Sequence, residues 1–344
     1  MGAGEEREAW ADCLRIISNM AVIVLHVATQ YWEAVPVTGA VWGILHFYDS
    51  LVRWAVPVFI MVSGAMFIKR DISLPKLFGK YILRLVLTFF FWGLLYQIIT
   101  GGGISFYGIF YGYYHLWFLP MLIGLYICQP VFRTIAQKEE TLRYTICIIL
   151  IFGFAIPWGI RVWTDFGAAS KQEWLNGIQY FFGCMALGTV RFAGYFLLGY
   201  YLRDHLCSLR WKRIFGIGGI IGFAMTFWLT KIVSEKLGIP MDCYYDYCSV
   251  NVFLMAVAVF VLGKDWFQKS NNKNNIAIQM ARVSFGVYLV HPLFIYFFQK
   301  NIGLAGVRLP VLISVPLVSF LIFCMSGIAS AMMKSIPGIN NYLI

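Results

Sequence analysis

The residues of this sequence that can do chemistry begin with Arg15 and His26, two polar side chains in the otherwise apolar stretch 12–31 (DCLRIISNMAVIVLHVATQY). They are eleven positions apart, which is about three helical turns plus 20°, so on a helix both side chains lie on one face. The helical rise separates them by ~16 Å along the axis. A histidine accepts a proton near neutral pH, and an arginine binds anions. One face of this helix is therefore predicted to carry a proton acceptor and an anion-binding group.

Two more polar side chains, Asn19 and Gln30, extend this stripe, because each lies four residues from Arg15 or His26. An unpaired polar group in an apolar environment costs ~1–3 kcal/mol or more. The stripe is therefore predicted to face a protein interior or a water-filled cavity, and not lipid. A purely structural interpretation, with His26 as a hydrogen-bonding link between helices, stays open on these residues alone. The full stripe favours a functional site.

The composition indicates a membrane protein. Hydrophobic residues make up 60% of the 344-residue chain, and its mean hydropathy is +0.73, whereas soluble domains are about 45–50% apolar. We predict an all-α polytopic membrane protein in which residues 1–344 form a single integral-membrane domain with no separate soluble domain. Basic cytoplasmic loops explain the net charge of +11, so no nucleic-acid partner is predicted.

About ten segments are long and apolar enough to cross a bilayer, which takes ~20 mostly apolar residues. The first segment lacks a small-residue cleavage site and is predicted to be a retained span. The ten predicted spans are 9–31, 49–68, 80–100, 116–134, 143–161, 183–203, 213–232, 247–263, 280–299 and 308–332.

The Lys and Arg residues lie mainly on one side of these spans. With the N-terminus inside, nineteen lie on the cytoplasmic side and seven on the outer side, while Arg191 lies within a span. Because cytoplasmic loops are enriched in these residues, both termini are predicted to be cytoplasmic. The Asn-rich segment 264–276 is then a flexible cytoplasmic connector. Cys243 and Cys248 share an outer loop, where they could form a disulfide.

This topology brings five ionisable side chains to membrane depth in the outer half of the protein. Ionisable residues at such a depth are functional candidates. A polar cluster is therefore predicted near the outer ends of the spans. Its members are His26, Arg53, His115, Arg191 and His291.

A second, basic group lies at the cytoplasmic ends of the spans and consists of Arg15, Lys80 and Arg84. Lys80 and Arg84 are four residues apart, as neighbours on one helix face are. The enrichment of cytoplasmic loops in basic residues is an alternative explanation for both. The polar face of the first span joins the two groups.

Several members of the outer cluster also have a structural interpretation. His115 stands beside Trp117 and could anchor the chain at the membrane interface. His291 precedes Pro292 and could cap a kink. Arg53 could extend its guanidinium to the outer surface. The sequence alone leaves these alternatives open.

No glycine-rich nucleotide loop, zinc-ligand spacing or nucleophile elbow occurs in the sequence. No metal site is therefore predicted. Gly64 and Gly199, both within predicted spans, are expected to allow close helix packing. The sequence shows no strong internal repeat, which weakens the interpretation as a transporter built from inverted halves.

Five ordered blocks of the sequence resemble the acyltransferase 3 family of integral-membrane acyltransferases. The first block has Arg15 and His26 in the family's Arg-x10-His spacing, with Asp12 three residues earlier. The resemblance extends over essentially the whole chain. The later blocks are VPVFIMVSG at 56–64, HLWFLP at 115–120, YFLLGYYL at 195–202 and SFGVYLVHP at 284–292.

The resemblance implies a ten-helix fold in the inner membrane of a bacterium. It implies acetyl-CoA or another acyl-CoA as the cytoplasmic co-substrate, no bound cofactor, and a hydroxyl acceptor on a cell-surface glycan or its lipid-linked precursor. It also implies that His26 is catalytic and that Arg15 helps to hold the donor. Many members carry a second basic pair near the third span, often Arg-x-x-Arg. Lys80-x3-Arg84 is the nearest match here and departs from that pattern.

Acyl transfer from a thioester to an alcohol needs a base that takes the hydroxyl proton, and His26 has the right side chain for it. The oxyanion of the tetrahedral intermediate needs hydrogen-bond donors or cations. Arg53, His115 and Arg191 are the candidates, and the sequence does not choose among them.

The phosphates of an acyl-CoA need cations at the cytoplasmic mouth, where Arg15, Lys80 and Arg84 are predicted to lie. The ~16 Å between Arg15 and His26 suits a donor whose head stays at the mouth while its acyl arm extends into the membrane. The residues predicted to support this site are Asp12, Asn19, Trp117 and His291.

Two other functions use the same residues. A small-solute transporter would line its path with the same polar cavity, and the acyltransferase 3 family includes a branch whose membrane domain is implicated in amino-acid uptake. A catalytically silent sensor or assembly protein would keep the cavity without turnover. Membership of a family does not by itself prove acylation.

Overall fold

The structure is a computed structural model that describes residues 8–101, 103–167, 188–205, 208–269, 275–303, 309–336 and 343. Within these ranges the regular structure is helical, and no β-strand occurs among them. The predicted all-α class is therefore confirmed.

The described residues form thirteen helices. Two of the helices contain a π-helical segment, Leu77–Ile82 in the fourth and Ile151–Ala155 in the eighth, and a 3-10 turn at Cys243–Tyr245 precedes the eleventh. The helices are α1 Ala9–Thr29, α2 Ala40–Val52, α3 Ala55–Phe67, α4 Leu74–Thr100, α5 Phe106–Tyr111, α6 Phe118–Ile127, α7 Gln129–Ala136, α8 Glu139–Phe166, α9 Gly188–Asp204, α10 Leu209–Leu237, α11 Val250–Lys269, α12 Asn275–Asn301 and α13 Val311–Lys334.

Eight helical segments are long and apolar enough to cross a membrane, with α2 and α3 counted as one segment. A ninth is the pair α6 and α7, which is bent by 55°. The predicted span 183–203 corresponds to α9, of which 17 residues are described. Helices thus occupy all ten predicted positions, and the chain is an all-α polytopic membrane protein.

Helix α1 lies at the centre of the bundle. It packs against α2, α3, α11, α12 and α13, and most of its residues are buried, whereas α8 and α10 are mainly exposed at the periphery. Asn19 donates from Nδ2 to the carbonyl oxygen of Ser284 on α12, over 3.0 Å. The polar stripe of α1 therefore faces protein, as predicted.

The predicted span 49–68 is in fact two helices that meet at Arg53. Helix α2 begins at Ala40 and ends at Val52, and α3 begins at Ala55. Pro57 has no backbone N–H to donate to the carbonyl of Arg53, so the hydrogen-bond ladder is interrupted at this point. The break places Arg53 in a turn inside the protein and not at the end of a span.

The predicted connector 264–276 is largely helical where it is described. Helix α11 continues to Lys269, and α12 begins at Asn275, while residues 270–274 lie outside the described part of the chain. Lys264 donates from Nζ to the carbonyl oxygen of Leu202 at the end of α9, over 2.8 Å. This buried contact holds the end of α11 in helical form.

A disulfide between Cys243 and Cys248 is absent, since both thiols are free. Cys248 is 1% exposed and belongs to the central apolar cluster, whereas Cys243 is only partly buried. The 3-10 turn that begins at Cys243 thus leaves the two side chains in different environments.

Helices α3 and α9 cross in close contact at two glycines. A Cβ built on Gly64 would lie 1.9 Å from the carbonyl oxygen of Phe196, and one on Gly199 would lie 2.0 Å from that of Met61. Both neighbours are backbone atoms, so only a separation of the helices could relieve the overlap. The predicted role of the two glycines in close packing is confirmed.

We expect Gly64→Ala and Gly199→Ala each to destabilise the protein by about 1–3 kcal/mol, because the added methyl group forces two buried helices apart. Thermal unfolding in detergent measures this. Gly327→Ala on α13 is the matched control, since a Cβ there meets no atom within 4 Å. An unchanged Tm in the Gly199 variant would contradict the close crossing.

Candidate functional site

A cavity of about 310 Å³ lies beside α1 and is lined by both Arg15 and His26. We name it the His26 cavity. Its size falls within the range of ligand pockets, roughly 300–1,000 Å³. Apolar side chains such as Val22, Leu25 and Phe59 line its middle. The two residues that the sequence singled out therefore lie in one cavity.

The Arg15 end of the cavity is basic. Arg15 Nη1 pairs with Asp12 Oδ1 over 3.1 Å, as their i, i+3 spacing indicates. Arg84 also lines this end, with its guanidinium 5.8 Å from the ring centroid of Phe285. Arg15 and Arg84 both interact electrostatically with the hydroxyl of Tyr126, which lines the cavity between them.

A third arginine, Arg70, also interacts with Tyr126 and Arg15. It follows α3 and is half-buried. Sequence reasoning missed Arg70, because its position in a loop after a span looks like any other cytoplasmic basic residue. Two arginines thus line one end of the His26 cavity, and Arg70 adds a third positive charge near Arg15.

Lys80 is exposed and is not among the residues that line the cavity. The π-helical segment Leu77–Ile82 interrupts the α-helical period between Lys80 and Arg84. Lys80 thus stays outside the cavity that Arg84 lines, although the four-residue spacing suits one helix face. Lys80 lies at the same end of the protein as the arginines but outside their cluster, and its part in donor binding stays a prediction.

His26 and His115 line the opposite end of the cavity, and the ring of His291 contacts both of them. The rings of His26 and His291 stack with their centroids 5.4 Å apart, and His115 lies 5.6 Å from His291. The ring of Tyr114 contacts His26 edge-on at 4.9 Å. Three of the five residues predicted in the outer cluster are thus brought together.

His26 is the half-buried member of this group, and its side chain faces the cavity. Within the described part of the chain, neither ring nitrogen of His26 has a hydrogen bond. The imidazole is therefore held by ring contacts alone, and a bound molecule can reach its nitrogens.

The tautomer of His291 follows from its one hydrogen bond. Its Nδ1 lies 3.1 Å from the carbonyl oxygen of Val287, and a carbonyl oxygen can only accept, so Nδ1 carries the proton. Nε2 has no hydrogen-bond partner among the described residues. His291 thus presents a free lone pair at Nε2 next to His26, which a kink-capping role alone does not require.

His115 is 2% exposed and lies in the turn before α6, so it is not an interfacial anchor. Tyr288 on α12 donates from its hydroxyl to the backbone oxygen of His115 over 2.7 Å and fixes this turn. Trp117 lines the His26 cavity and stacks on Tyr247, with centroids 5.6 Å apart.

A second, more polar cavity of about 700 Å³ adjoins the first, and we name it the Arg191 cavity. Arg191 donates from Nε to the carbonyl oxygen of Gly153 over 3.0 Å, and its Nη2 pairs with Asp246 over 2.6 Å. Arg161, on the same wall, pairs with Asp165 over 2.9 Å. The basic groups of this wall are thus already engaged by carboxylates.

The two cavities have Tyr247 as a common wall residue. Arg53 also lines the Arg191 cavity, and it interacts electrostatically with His26 in the other one. Its Nη2 pairs with the fully buried Asp49 over 2.5 Å, and its Cζ lies 3.9 Å from the ring centroid of Tyr245. Arg53 therefore lies at the boundary between the cavities and does not extend to the surface.

The comparisons with known proteins support one family. The profile of the acyltransferase domain of the acyltransferase 3 family matches residues 8–333. No curated protein and no solved structure matches the chain. The match contains both cavities and covers nearly all of the sequence. The chain therefore belongs to the acyltransferase 3 family of membrane acyltransferases.

Proposed function

We propose that the protein is an O-acyltransferase of the bacterial inner membrane that moves an acyl group from cytoplasmic acyl-CoA to a hydroxyl of a cell-surface glycan or its lipid-linked precursor. Acetyl-CoA is the proposed donor on the basis of the family resemblance, with another acyl-CoA as the alternative. The observation that carries the proposal is one cavity with arginines at one end and His26 at the other, next to a second polar cavity.

The donor is proposed to bind in the His26 cavity. Its phosphates meet Arg15 and Arg84 at the basic end, with Arg70 adding charge nearby. Arginine suits this task because its guanidinium binds phosphate oxygens in a bidentate manner. The apolar middle of the cavity takes the pantetheine arm, and the ~16 Å between Arg15 and His26 places the thioester near the histidine.

His26 is proposed as the general base. It takes the proton of the acceptor hydroxyl while the hydroxyl oxygen attacks the thioester carbonyl carbon. The tetrahedral intermediate then collapses, the C–S bond breaks, and the thiolate leaves as CoA after it takes the proton from the imidazolium. The products are an ester and free CoA.

Arg53 is proposed to stabilise the oxyanion of this intermediate, since it lies at the boundary of the cavities and already interacts with His26. Arg191 is less suited to this role, because its guanidinium is engaged by Asp246 and by the backbone of Gly153. His291 and Tyr114 hold the His26 ring by contact, and His115 packs against His291.

The Arg191 cavity is proposed to receive the acceptor. It is lined by polar groups of both charges and by the aromatic side chains of Trp158, Tyr245 and Tyr247. Hydroxyl-rich ligands use such mixed walls, where polar groups fix orientation and rings cover apolar faces. Tyr247 then separates the acceptor from the donor until the hydroxyl approaches His26.

Purified protein in liposomes, supplied with radiolabelled acetyl-CoA and a membrane glycolipid extract from the source cells, tests this proposal. We expect one free CoA for each label that enters a base-labile ester. Uptake of a solute into the liposomes without donor, and no ester, would favour a transporter. Neither activity would favour a sensor or assembly protein.

A further inference from the structure

A polar face of α2 lies next to the site, and only Arg53 among its residues has a part in the proposed chemistry. His46, Asp49, Ser50 and Arg53 are spaced i, i+3, i+4 and i+7, so their side chains share one helix face. His46, Asp49 and Ser50 are fully buried. Such groups are costly in a protein interior unless hydrogen bonds satisfy them, so their partners show what the face does.

His46 has its ring orientation and its tautomer fixed by its neighbours. Nε2 lies 2.9 Å from the carbonyl oxygen of Phe227 on α10, which can only accept, so Nε2 carries the proton of the neutral ring. Nδ1 is then an acceptor, and the hydroxyl of Tyr245 donates to it. The rings of Trp42 and Phe227 stack on the imidazole, with centroids 4.7 and 4.6 Å away.

Tyr245 links this histidine to Arg53. Its hydroxyl end is held by His46, with Ser50 Oγ 3.2 Å away as a second contact. Its ring face carries the Arg53 guanidinium at 3.9 Å, a cation–π contact. Asp49 holds the same guanidinium by an ion pair. Tyr245 and Asp49 together therefore define where the Arg53 charge lies.

We propose that His46 is a positioning residue for acyl transfer, which acts through Tyr245 to fix the Arg53 guanidinium at the boundary between the two cavities. The proposal rests on the proposed function of Arg53. His46 lines neither the His26 cavity nor the Arg191 cavity, so it acts on the reaction only through the residues that it holds. Without an acceptor at Nδ1, the Tyr245 hydroxyl keeps only its longer contacts with Ser50 Oγ and the backbone oxygen of His46, and the ring shifts toward them.

Two substitutions of His46 separate its two hydrogen bonds. His46→Gln places an amide nitrogen near the Nε2 position and keeps the donor to Phe227, but it loses the acceptor for Tyr245. His46→Asn places an amide oxygen near the Nδ1 position and keeps that acceptor. We expect His46→Gln to lower kcat about tenfold with unchanged donor Kd, and His46→Asn to retain most of the rate.

A double-mutant cycle with Arg53→Lys decides whether His46 acts through Arg53. We expect the variant with both His46→Gln and Arg53→Lys to be no slower than Arg53→Lys alone, because the histidine has nothing left to position. The proposal would be overturned if the losses in kcat from His46→Gln and Arg53→Lys multiplied in the double variant. Equal losses in kcat from His46→Gln and His46→Asn would overturn it too. Ser319→Ala is the control, since it removes a buried hydroxyl on α13 whose one partner among the described residues is Val315 of its own helix. This variant should transfer acyl groups like the wild type.

A nitrogen-15 spectrum of histidine-labelled protein supplies a readout that needs no turnover. The chain has five histidines, and His46→Gln identifies the resonances of His46. We expect the Nε2-protonated tautomer, with an Nδ1 shift that changes in Tyr245→Phe. Protonation at Nδ1 would overturn the proposal whatever the transfer assay shows. A wild-type protein that transfers no acyl group while it shows the expected spectrum would instead count against the proposed function.

Discussion

Replacing His26 with glutamine should abolish acyl transfer while the protein stays folded and still binds its donor. A general base contributes roughly 10²–10⁴-fold to a rate, so we expect at least that loss in kcat. Glutamine keeps the size and hydrogen-bonding capacity of histidine but cannot take a proton at neutral pH. The variant therefore removes the proposed chemistry with little change in shape.

The fold should survive because His26 is held by ring contacts and makes no side-chain hydrogen bond in the described part of the chain. Donor binding should survive because Arg15 lies ~16 Å from His26 along α1, and Arg84 lines the same cavity on another helix. Initial rates at saturating donor and acceptor give kcat, and calorimetric titration with acetyl-CoA gives the donor Kd. A Tm close to that of the wild type confirms that the comparison is between folded proteins.

Near wild-type transfer by His26→Gln would make His26 a structural link between helices. His291 would then be the next base to test, since its Nε2 has a free lone pair beside the cavity. His291→Gln is thus the companion variant, and we expect a smaller loss from it, because its ring touches His26 but does not line the cavity. Loss of solute uptake by His26→Gln, where no acyl transfer is ever detected, would favour the transporter.

The sequence predicted the parts of this molecule that a single helix determines. The polar stripe on α1 can be predicted from the 3.6-residue helical period alone. The structure places its members Arg15 and His26 in one cavity, as expected. Gly64 and Gly199 were also predictable, because glycine inside an apolar span has few other uses. The positions of the spans follow from hydrophobic length in the same way.

The parts that the sequence did not predict depend on contacts between segments far apart in the chain. Tyr247 lines both cavities only because the turn after Cys243–Tyr245 lies against Trp117 on another segment. Arg70 joins Arg15 only through the packing around Tyr126. Lys80 is exposed and does not line the cavity that Arg84 lines, although the two residues have the spacing of neighbours on one helix face.

The polar face of α2 is different, because its signal was present in the sequence. His46, Asp49, Ser50 and Arg53 have the same helical spacing that revealed the stripe of α1. The predicted span begins at residue 49 and therefore leaves out His46, whereas the helix begins at Ala40. Because this helix boundary was predicted too late in the chain, a buried histidine was missed. Polar residues just outside a predicted span can therefore belong to its buried face.

Removing the guanidinium of Arg15 should weaken acetyl-CoA binding about 10- to 100-fold, because a charge-assisted hydrogen bond to phosphate contributes about 1.5–3 kcal/mol. Arg84→Ala should show a loss of the same kind, since both side chains line the basic end of the His26 cavity. Arg15→Lys should recover only part of the affinity, because an ammonium cannot form the bidentate contact. Calorimetric titration of folded protein with acetyl-CoA measures all three.

The control for Arg15→Ala must account for the negative charge of Asp12, which loses its partner when Arg15 is removed. Asp12 is buried and pairs with Arg15, so Arg15→Ala alone can destabilise α1. Asp12→Asn combined with Arg15→Gln removes both charges and should keep the Tm while it loses the affinity. Lys76→Ala removes an exposed charge at the start of α4 and should bind like the wild type. Lys80→Ala tests whether the exposed Lys80 also binds the phosphates of the donor, because the affinity for acetyl-CoA falls only if it does. Unchanged affinity in the combined variant would mean that Arg15 only holds Asp12, and the phosphates would then be assigned to Arg84 and Arg70.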